Sequence, residues 1–209
     1  MTIAEQHYYL KIKFVQTLSN MLIFNQWNDT ILADAEAECG FTKGYCQIIF
    51  PEGLNEIVDF FEQWQDQKML DLLSQHESPS KIRDKINLAL NIRIKNCVPK
   101  STHLRSSTYF SKPQNAIFSS KTAFRTCDLI WRYVGDKSID YNYYTKRMLL
   151  LGVYISSIIY YTKDESINDV ATDEYIYNSL SKIVNTSSKF KNILKSPNFA
   201  NLPIIRLFS

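Results

Sequence analysis

Apolar residues recur near a 3.6-residue period along most of this chain, which predicts helix after helix. Tyr8, Ile12, Val15, Leu18, Leu22 and Ile23 share a face of the segment Ala4 to Phe24. Asn28 or Asp29 can cap a second helix to about Glu38, with Ile31, Leu32 and Ala35 inward and Gly40 ending it. Thr42 is the next cap, for a short helix to Ile49 before Phe50-Pro51. A long helix from near Gly53 to about Gln75 follows, with Leu54, Ile57, Val58, Phe61, Met69 and Leu72 on its apolar face. Ile82, Ile86, Leu90 and Ile94 repeat at spacings of four in a helix from Lys81 to Val98. Shorter and longer helices are predicted over Lys100–Ser111 and from Pro113 to Val134, with Gly135-Asp136 as the stop. Tyr141–Tyr161 is the most apolar helix, and Thr172 caps another to about Asn185. No repeat or linker interrupts the series. The pattern predicts an all-α fold of about nine or ten helices in one compact unit.

Met148, Leu149, Leu150, Leu151, Val153, Ile155, Ile158 and Ile159 cover nearly the whole circumference of the most apolar helix. A helix apolar all round is buried, or faces an apolar ligand. Gly152, Ser156 and Ser157 leave room beside it, and Ile117, Phe118, Phe124 and Ile130 on the preceding helix can form an opposite wall. The candidate apolar-ligand set is therefore Ile117, Phe118, Phe124, Leu149, Leu150, Val153, Tyr154, Ile158 and Tyr161. Met148 to Thr162 carries no charge, but it falls short of the roughly 20 residues that span a bilayer. A central helix is expected, not a transmembrane one.

Composition narrows the chemistry. With 209 residues, 45% apolar and 22% charged, the chain has the balance of a soluble globular protein. Cys39, Cys46, Cys97 and Cys127 form no C-x-x-C pair and are read as free core thiols of a reducing compartment. His7, His76 and His103 have no helical metal-ligand partner, so no metal is expected. A glycine-rich phosphate loop and a G-x-S-x-G elbow are both missing. Asp128 and Asp136 flank one helix end, Asp164 and Glu165 another, and such carboxylates are read as solvated caps, with Arg147 able to pair with Asp136 or Asp140 in a structural role. No catalytic residue and no cofactor is assigned; the sequence reads as a binder. The first fourteen residues lack the pattern of an export signal or presequence, so a cytoplasmic protein is expected.

Charge is unevenly spread. Residues 1–60 carry Lys11, Lys13 and Lys43 against eight carboxylates, a net of −5, whereas everything beyond Ile176 is free of acid and carries Lys182, Lys189, Lys191, Lys195 and Arg206. Asp29 to Pro51 resembles the helix-turn-helix of the TetR repressors, in a helix ending near Gly40, the turn Gly40-Phe41-Thr42-Lys43-Gly44, and the closing Phe50-Pro51. DNA binding depends on cations around the recognition helix. Here Tyr45, Cys46, Gln47 and Ile48 would face the groove, with Lys43 the one nearby cation. A vestigial helix-turn-helix is the expectation, with no nucleic acid bound. A TetR-type transcription regulator with a small-molecule pocket is the alternative.

A second resemblance lies between Leu129 and Asn185. Trp131-Arg132-Tyr133-Val134-Gly135-Asp136-Lys137-Ser138 is followed by Asp140-Tyr141-Asn142-Tyr143-Tyr144-Thr145-Lys146-Arg147, then by Leu150, Val153-Tyr154, Asp164, Ser166, Asp169 and Thr172. This resembles the coenzyme Q biosynthesis protein nine family, whose signature has the form G-D-x-S-x-D-x-N-W-Y-T-K/R-R. The family's tryptophan is Tyr143 here. The resemblance implies a TetR-like fold, no catalysis, and a pocket for isoprenoid quinone or phospholipid. It also implies delivery of substrate to a di-iron demethoxy-ubiquinone hydroxylase at the membrane, and a homodimer. It places the partner surface at Asp128, Ile130, Trp131, Tyr143 and Tyr144.

The basic C-terminal segment suits a membrane surface: each cation near anionic lipid contributes about 1 kcal/mol, and apolar side chains lie among them. Lys189, Phe190, Lys191, Ile193, Leu194 and Lys195 are the candidates, although Pro197 and Pro203 break any longer helix. The expected organisation is 1–55 helix-turn-helix-like, 56–186 lipid-binding bundle and 187–209 basic apolar segment. Peripheral association with the inner membrane, from the cytoplasm, is the expected location.

Overall fold

The computed structural model describes residues 2–139 and 141–194, with the last helix described beyond residue 183 by its backbone alone. Among the described residues all regular structure is helical. The helices are α1 (Ile3–Met21), α2 (Asp29–Glu38), α3 (Tyr45–Ile49), α4 (Leu54–Ser74), α5 (Ile82–Asn91), α6 (Lys100–Phe110), α7 (Ala116–Tyr133), α8 (Tyr141–Lys163) and α9 (Val170–Leu194).

Local chemistry sets the boundaries. Thr2 and Glu5 form a reciprocal capping box at the start of α1, and the Asn28 side chain accepts from the Ile31 amide to start α2. The structure corrects the Thr42 cap. Helix α3 follows Gly44, whose φ of 83° suits glycine, and no side chain of its own turn caps it. The buried carboxylate of Glu36, on α2, accepts instead from the amides of Gly44 and Cys46 at 2.9 and 2.6 Å. The reach of α9 is corrected too. It begins at Val170, so Thr172 lies inside it, and its amide and hydroxyl both donate to Asp164. The backbone then runs on to Leu194 through the position where a break was expected.

Two clusters form the interior. Phe14, Leu18, Trp27, Ile31, Phe50 and Phe61 centre the first, between α1, α2, α3 and the first half of α4. Burial of each such side chain contributes about 1.5–3 kcal/mol over exposure. Met69, Leu90, Ile94, Cys127, Ile130, Leu150 and Ile176 centre the second, between the far half of α4 and α5, α7, α8 and α9. Helix α4 runs through both. All four cysteines are free and buried.

Where the clusters meet, α5 continues into a π-helical turn, Ile92–Asn96, that carries Arg93. Wide turns of this kind mark inserted residues and functional sites. Arg93 is fully buried. Its guanidinium donates to Asp66, Gln65 and Glu62 on α4 at 2.9, 2.6 and 2.6 Å, and lies 5.9 Å from the Tyr154 ring centroid of α8. Thr126 of α7 donates to the same Asp66 oxygen, so four helices meet at one cation.

The most apolar helix is not buried all round. Helix α8 packs against α6, α7 and α9, but Tyr144, Met148, Ile155 and Ile159 are 59%, 57%, 44% and 49% exposed and fall along one face. The expectation of burial is corrected to burial on three sides. No helix among the described residues is long and apolar enough to cross a membrane.

Removing a partner from a buried ion cluster leaves charge stranded in a dry interior, at a cost of about 3–5 kcal/mol. Arg93→Met is therefore expected to lower the urea-unfolding free energy by that amount. The same change combined with Glu62→Gln and Asp66→Asn should recover most of it, and a triple variant no more stable than the single one would refute the cluster's charge balance.

Candidate functional site

A cavity of about 260 Å³ opens between α6, α7 and α8, its floor made by Glu62 of α4. The α8 wall is Tyr154, Ile155, Ile158 and Ile159; the α7 wall is Ser119, Thr122 and Ala123. From α6 and its exit come His103, Ser106, Ser107, Phe110 and Ser111. The exposed Ile155 and Ile159 form its outer edge, while His103, Ser106, Tyr154 and Glu62 are buried.

The polar side chains of the cavity are held firmly. His103 Nε2 lies 2.8 Å from the Ile94 carbonyl, which can only accept, so that nitrogen carries the proton. Burial, helped by the Arg93 charge, pushes the imidazole down to about 3 and keeps it neutral. Its ring stands edge-on to Tyr161, with centroids 5.9 Å apart. Burial pushes the Glu62 carboxyl up, against the attraction of Arg93, and pushes the Tyr154 phenol up as well. Ser106 Oγ receives the Trp27 indole N–H at 3.3 Å, tying the cavity to the N-terminal helices.

Of the nine residues proposed from sequence for an apolar ligand, Tyr154 and Ile158 line this cavity. Tyr161 is buried beside it against His103. Phe118 packs on Phe110 at 6.0 Å, one residue back from the wall. Leu150 and Val153 point into the second core, and Leu149 is half-buried on the same helix. Phe124 stands 6.3 Å from Tyr143, toward the other end of α7. Ile117 is 74% exposed and lies outside the cavity's lining.

The other end of α7 and α8 is locked by Arg147. Its guanidinium donates to Asp128 at 2.6 Å, to Asp136 at 3.0 Å and to the Tyr143 carbonyl at 3.1 Å, and lies 3.6 Å from the Tyr143 ring centroid. Asp128 and Asp136 are thus members of a half-buried ion cluster, which corrects their reading as solvated caps. Burial would raise Asp136, yet hydrogen bonds from Lys146, Ser138 and Arg147 hold it down to about 2. Asp128 is likewise lowered against burial, by Arg147 and the Tyr143 hydroxyl. Around the clamp lies an apolar surface. Tyr144 meets Tyr143 edge to face at 5.0 Å, Trp131 is half-buried with its indole N–H on the Lys146 carbonyl, and Ile139 is 96% exposed. Ile130 is fully buried in the second core. The partner set splits accordingly into an exposed Tyr144, half-buried Trp131, Tyr143 and Asp128, and an interior Ile130 that supports them.

The candidate membrane residues Lys189, Phe190, Lys191, Ile193, Leu194 and Lys195 lie outside the residues whose side chains are described.

The COQ9 family model matches residues 116–187, which take in α7, α8 and most of α9. This chain is similar to the COQ9 family. "Probable ubiquinone biosynthesis protein coq9, mitochondrial" of Dictyostelium discoideum is 25% identical over 191 residues, covering 88% of this chain and 62% of that protein. The ubiquinone biosynthesis protein COQ9, mitochondrial, of Rattus norvegicus is 23% identical over 179 residues, covering 80% of this chain and 56% of its own length. The Xenopus tropicalis protein of the same name reaches 30% identity over 81 residues, 39% of this chain and 26% of its own. This chain spans between about half and six-tenths of the length of the first two. The COQ9 match holds the α7 and α8 walls of the cavity and all of the Arg147 clamp, so the motif that carries the likeness has a physical role: Asp136 and Arg147 at its two ends bind each other.

Sequence reading missed Glu62, His103, Ser106 and Arg93. Glu62 and Arg93 occupy apolar-face positions of α4 and the α5 extension, and a charge on such a face is the signal that finds them.

His103 yields a pH prediction. Its folded pKa of about 3 lies below the unfolded value near 6.5, so its contribution to stability is complete above pH 6.5 and is lost as pH falls toward 3. Melting temperature should therefore decline more steeply between pH 7 and 4.5 in the parent than in His103→Gln; parallel declines would refute a buried neutral imidazole.

Proposed function

We propose that the chain is a non-catalytic, lipid-binding accessory protein of ubiquinone biosynthesis, which holds a polyprenyl quinone intermediate or a phospholipid and presents it to a membrane-associated di-iron hydroxylase. The observation that carries the reading is the cavity between α6, α7 and α8, apolar along Phe110, Ala123, Ile155, Ile158 and Ile159. Its volume of about 260 Å³ sits just under the usual range for small-ligand pockets. A ring with its first isoprene unit suits that space, and the rest of a polyprenyl tail would leave past Ile155 and Ile159. The names of the similar proteins supply the pathway, and the inner membrane is the place where such a carrier works.

The exposed side chains beside the Arg147 clamp are the surface we assign to the hydroxylase, because aromatic groups on a rigid base anchor interfaces. Tyr143 belongs to that surface but also roofs Arg147, so Tyr144 and Met148 are the positions that test it without loosening the clamp. The homodimer and the membrane contact of the basic C-terminal segment belong to the same proposal. A DNA-binding role is disfavoured by the acidic first sixty residues and by a five-residue α3.

Organic extraction and mass spectrometry of the purified protein should recover an isoprenoid quinone or phospholipid, and Ile158→Trp, which fills the cavity, should retain little of it. Equal lipid in the two proteins would sink the cavity assignment. Tyr144→Ala with Met148→Ala should keep the lipid and lose capture of the hydroxylase; undiminished capture would move the interface elsewhere.

A further inference from the structure

The polar side chains of the cavity differ in what they can offer a ligand. His103 already gives its N–H to the Ile94 carbonyl, so the neutral ring has only the lone pair of Nδ1 left. Thr122 gives its hydroxyl proton to Asp59 at 3.3 Å, and Ser111 gives its own to the Thr108 carbonyl at 3.0 Å. Ser119 Oγ lies 2.9 and 2.7 Å from the carbonyls of Phe110 and Asn115, so its proton too is engaged. Glu62 is paired with Arg93 and presents carboxylate oxygens. Five polar groups lining one small cavity thus have no proton to spare and keep only lone pairs for its contents. Ser106, Ser107 and Tyr154 add hydroxyls that can give or take.

Resting on the carrier reading above, we propose that the cavity selects an apolar ligand whose buried end bears a hydrogen-bond donor, a phenol or hydroquinone in preference to a quinone. A phenolic O–H can donate to His103 Nδ1 while its oxygen accepts from Ser106 or Tyr154. A quinone has carbonyl acceptors and nothing to donate, so its oxygens would face lone pairs and leave the buried imidazole acceptor unpaired. Sites built around such pairing discriminate strongly, because a buried polar group without a partner loses its hydration for nothing. The direction matters for the proposed role. A carrier of this kind holds the reduced, hydroxyl-bearing form of a prenylated ring and releases the oxidised form.

The test uses the full chain and two probes with one tail, para-nonylphenol and its methyl ether, which differ in the donor alone. Titration followed by tryptophan fluorescence should show the phenol binding about tenfold tighter. In His103→Phe the preference should shrink to about twofold or less, with affinity for the ether unchanged. Equal affinity of the two probes for the parent protein would overturn donor selection and leave the carrier reading standing. Failure of both probes to bind would overturn the carrier reading and this inference with it. A full preference retained in His103→Phe would overturn the role of His103. The parent comparison stands even if that variant folds poorly, and Ser106→Ala, which removes a cavity hydroxyl without touching the imidazole, should weaken both probes while keeping their order; a reversal of the order would also refute the assignment.

Discussion

The guanidinium of Arg93 has no contact with solvent and five N–H donors to satisfy in a low-dielectric interior. Isolated there, it would cost far more than a domain's net stability. Glu62, Gln65 and Asp66 on successive turns of α4 meet it, and Thr126 completes the Asp66 oxygen from α7. Arg93 sits in the π turn that ends α5, which carries residue 93 around by a different angle from a regular helix. The cluster ties the two apolar cores together across α4, and it sets the cavity beside it. Glu62 is both a partner of Arg93 and the cavity floor, and the Arg93 charge helps keep the neighbouring His103 neutral. A buried ion cluster of this kind fixes an arrangement more than it stabilises one, so its expected contribution is to the register of α4, α5, α7 and α8.

Helices were the most legible part of the chain, and the reasons are physical. A 3.6-residue repeat of apolar side chains reports which face is inside, and the glycines at 40, 53 and 135 adopt positive φ at the breaks. Nothing in that repeat reports where a long-range partner sits. Thr42 looked like a cap, but Glu36 eight residues upstream reaches the Gly44 amide first. Pairing of Arg147 with Asp136 was legible in the sequence, but Asp128 looked like a surface carboxylate until the fold brought Arg147 between the two. The motif in Gly135–Arg147 was readable as a signature holding an Arg147–carboxylate pair, whereas its closure onto α7 through Asp128 needed three dimensions.

For the cavity the shortfall was of another kind. Choosing apolar residues on α7 and α8 found the right pair of helices and Tyr154 and Ile158 in the wall, but it could not tell the core-facing side of α8 from the cavity-facing side. Leu150 and Val153 lie two to eight residues from Ile155 and Ile158 on one helix, and all four are aliphatic. What marks the cavity side is the small polar series on α6 and α7, Ser106, Ser107, Ser111, Ser119 and Thr122. In a sequence such residues read as an ordinary helix surface, because a short hydroxyl side chain carries no sign of a distant partner such as Trp27 for Ser106 or Asp59 for Thr122.

Helix α8 carries both the cavity wall and the exposed apolar face, and this links the two surfaces mechanically. Its first turn is fixed to α7 by Arg147, through Asp128 and Asp136, and its middle rests on the ring of Tyr154 over Arg93. A helix pinned at two points cannot bend freely between them, because its backbone hydrogen bonds resist the change. Ile155 and Ile159 at the cavity's edge and Tyr144 and Met148 toward the clamp therefore lie on one stiff element. The helix itself connects the two surfaces, and the two ion clusters are its fixed supports.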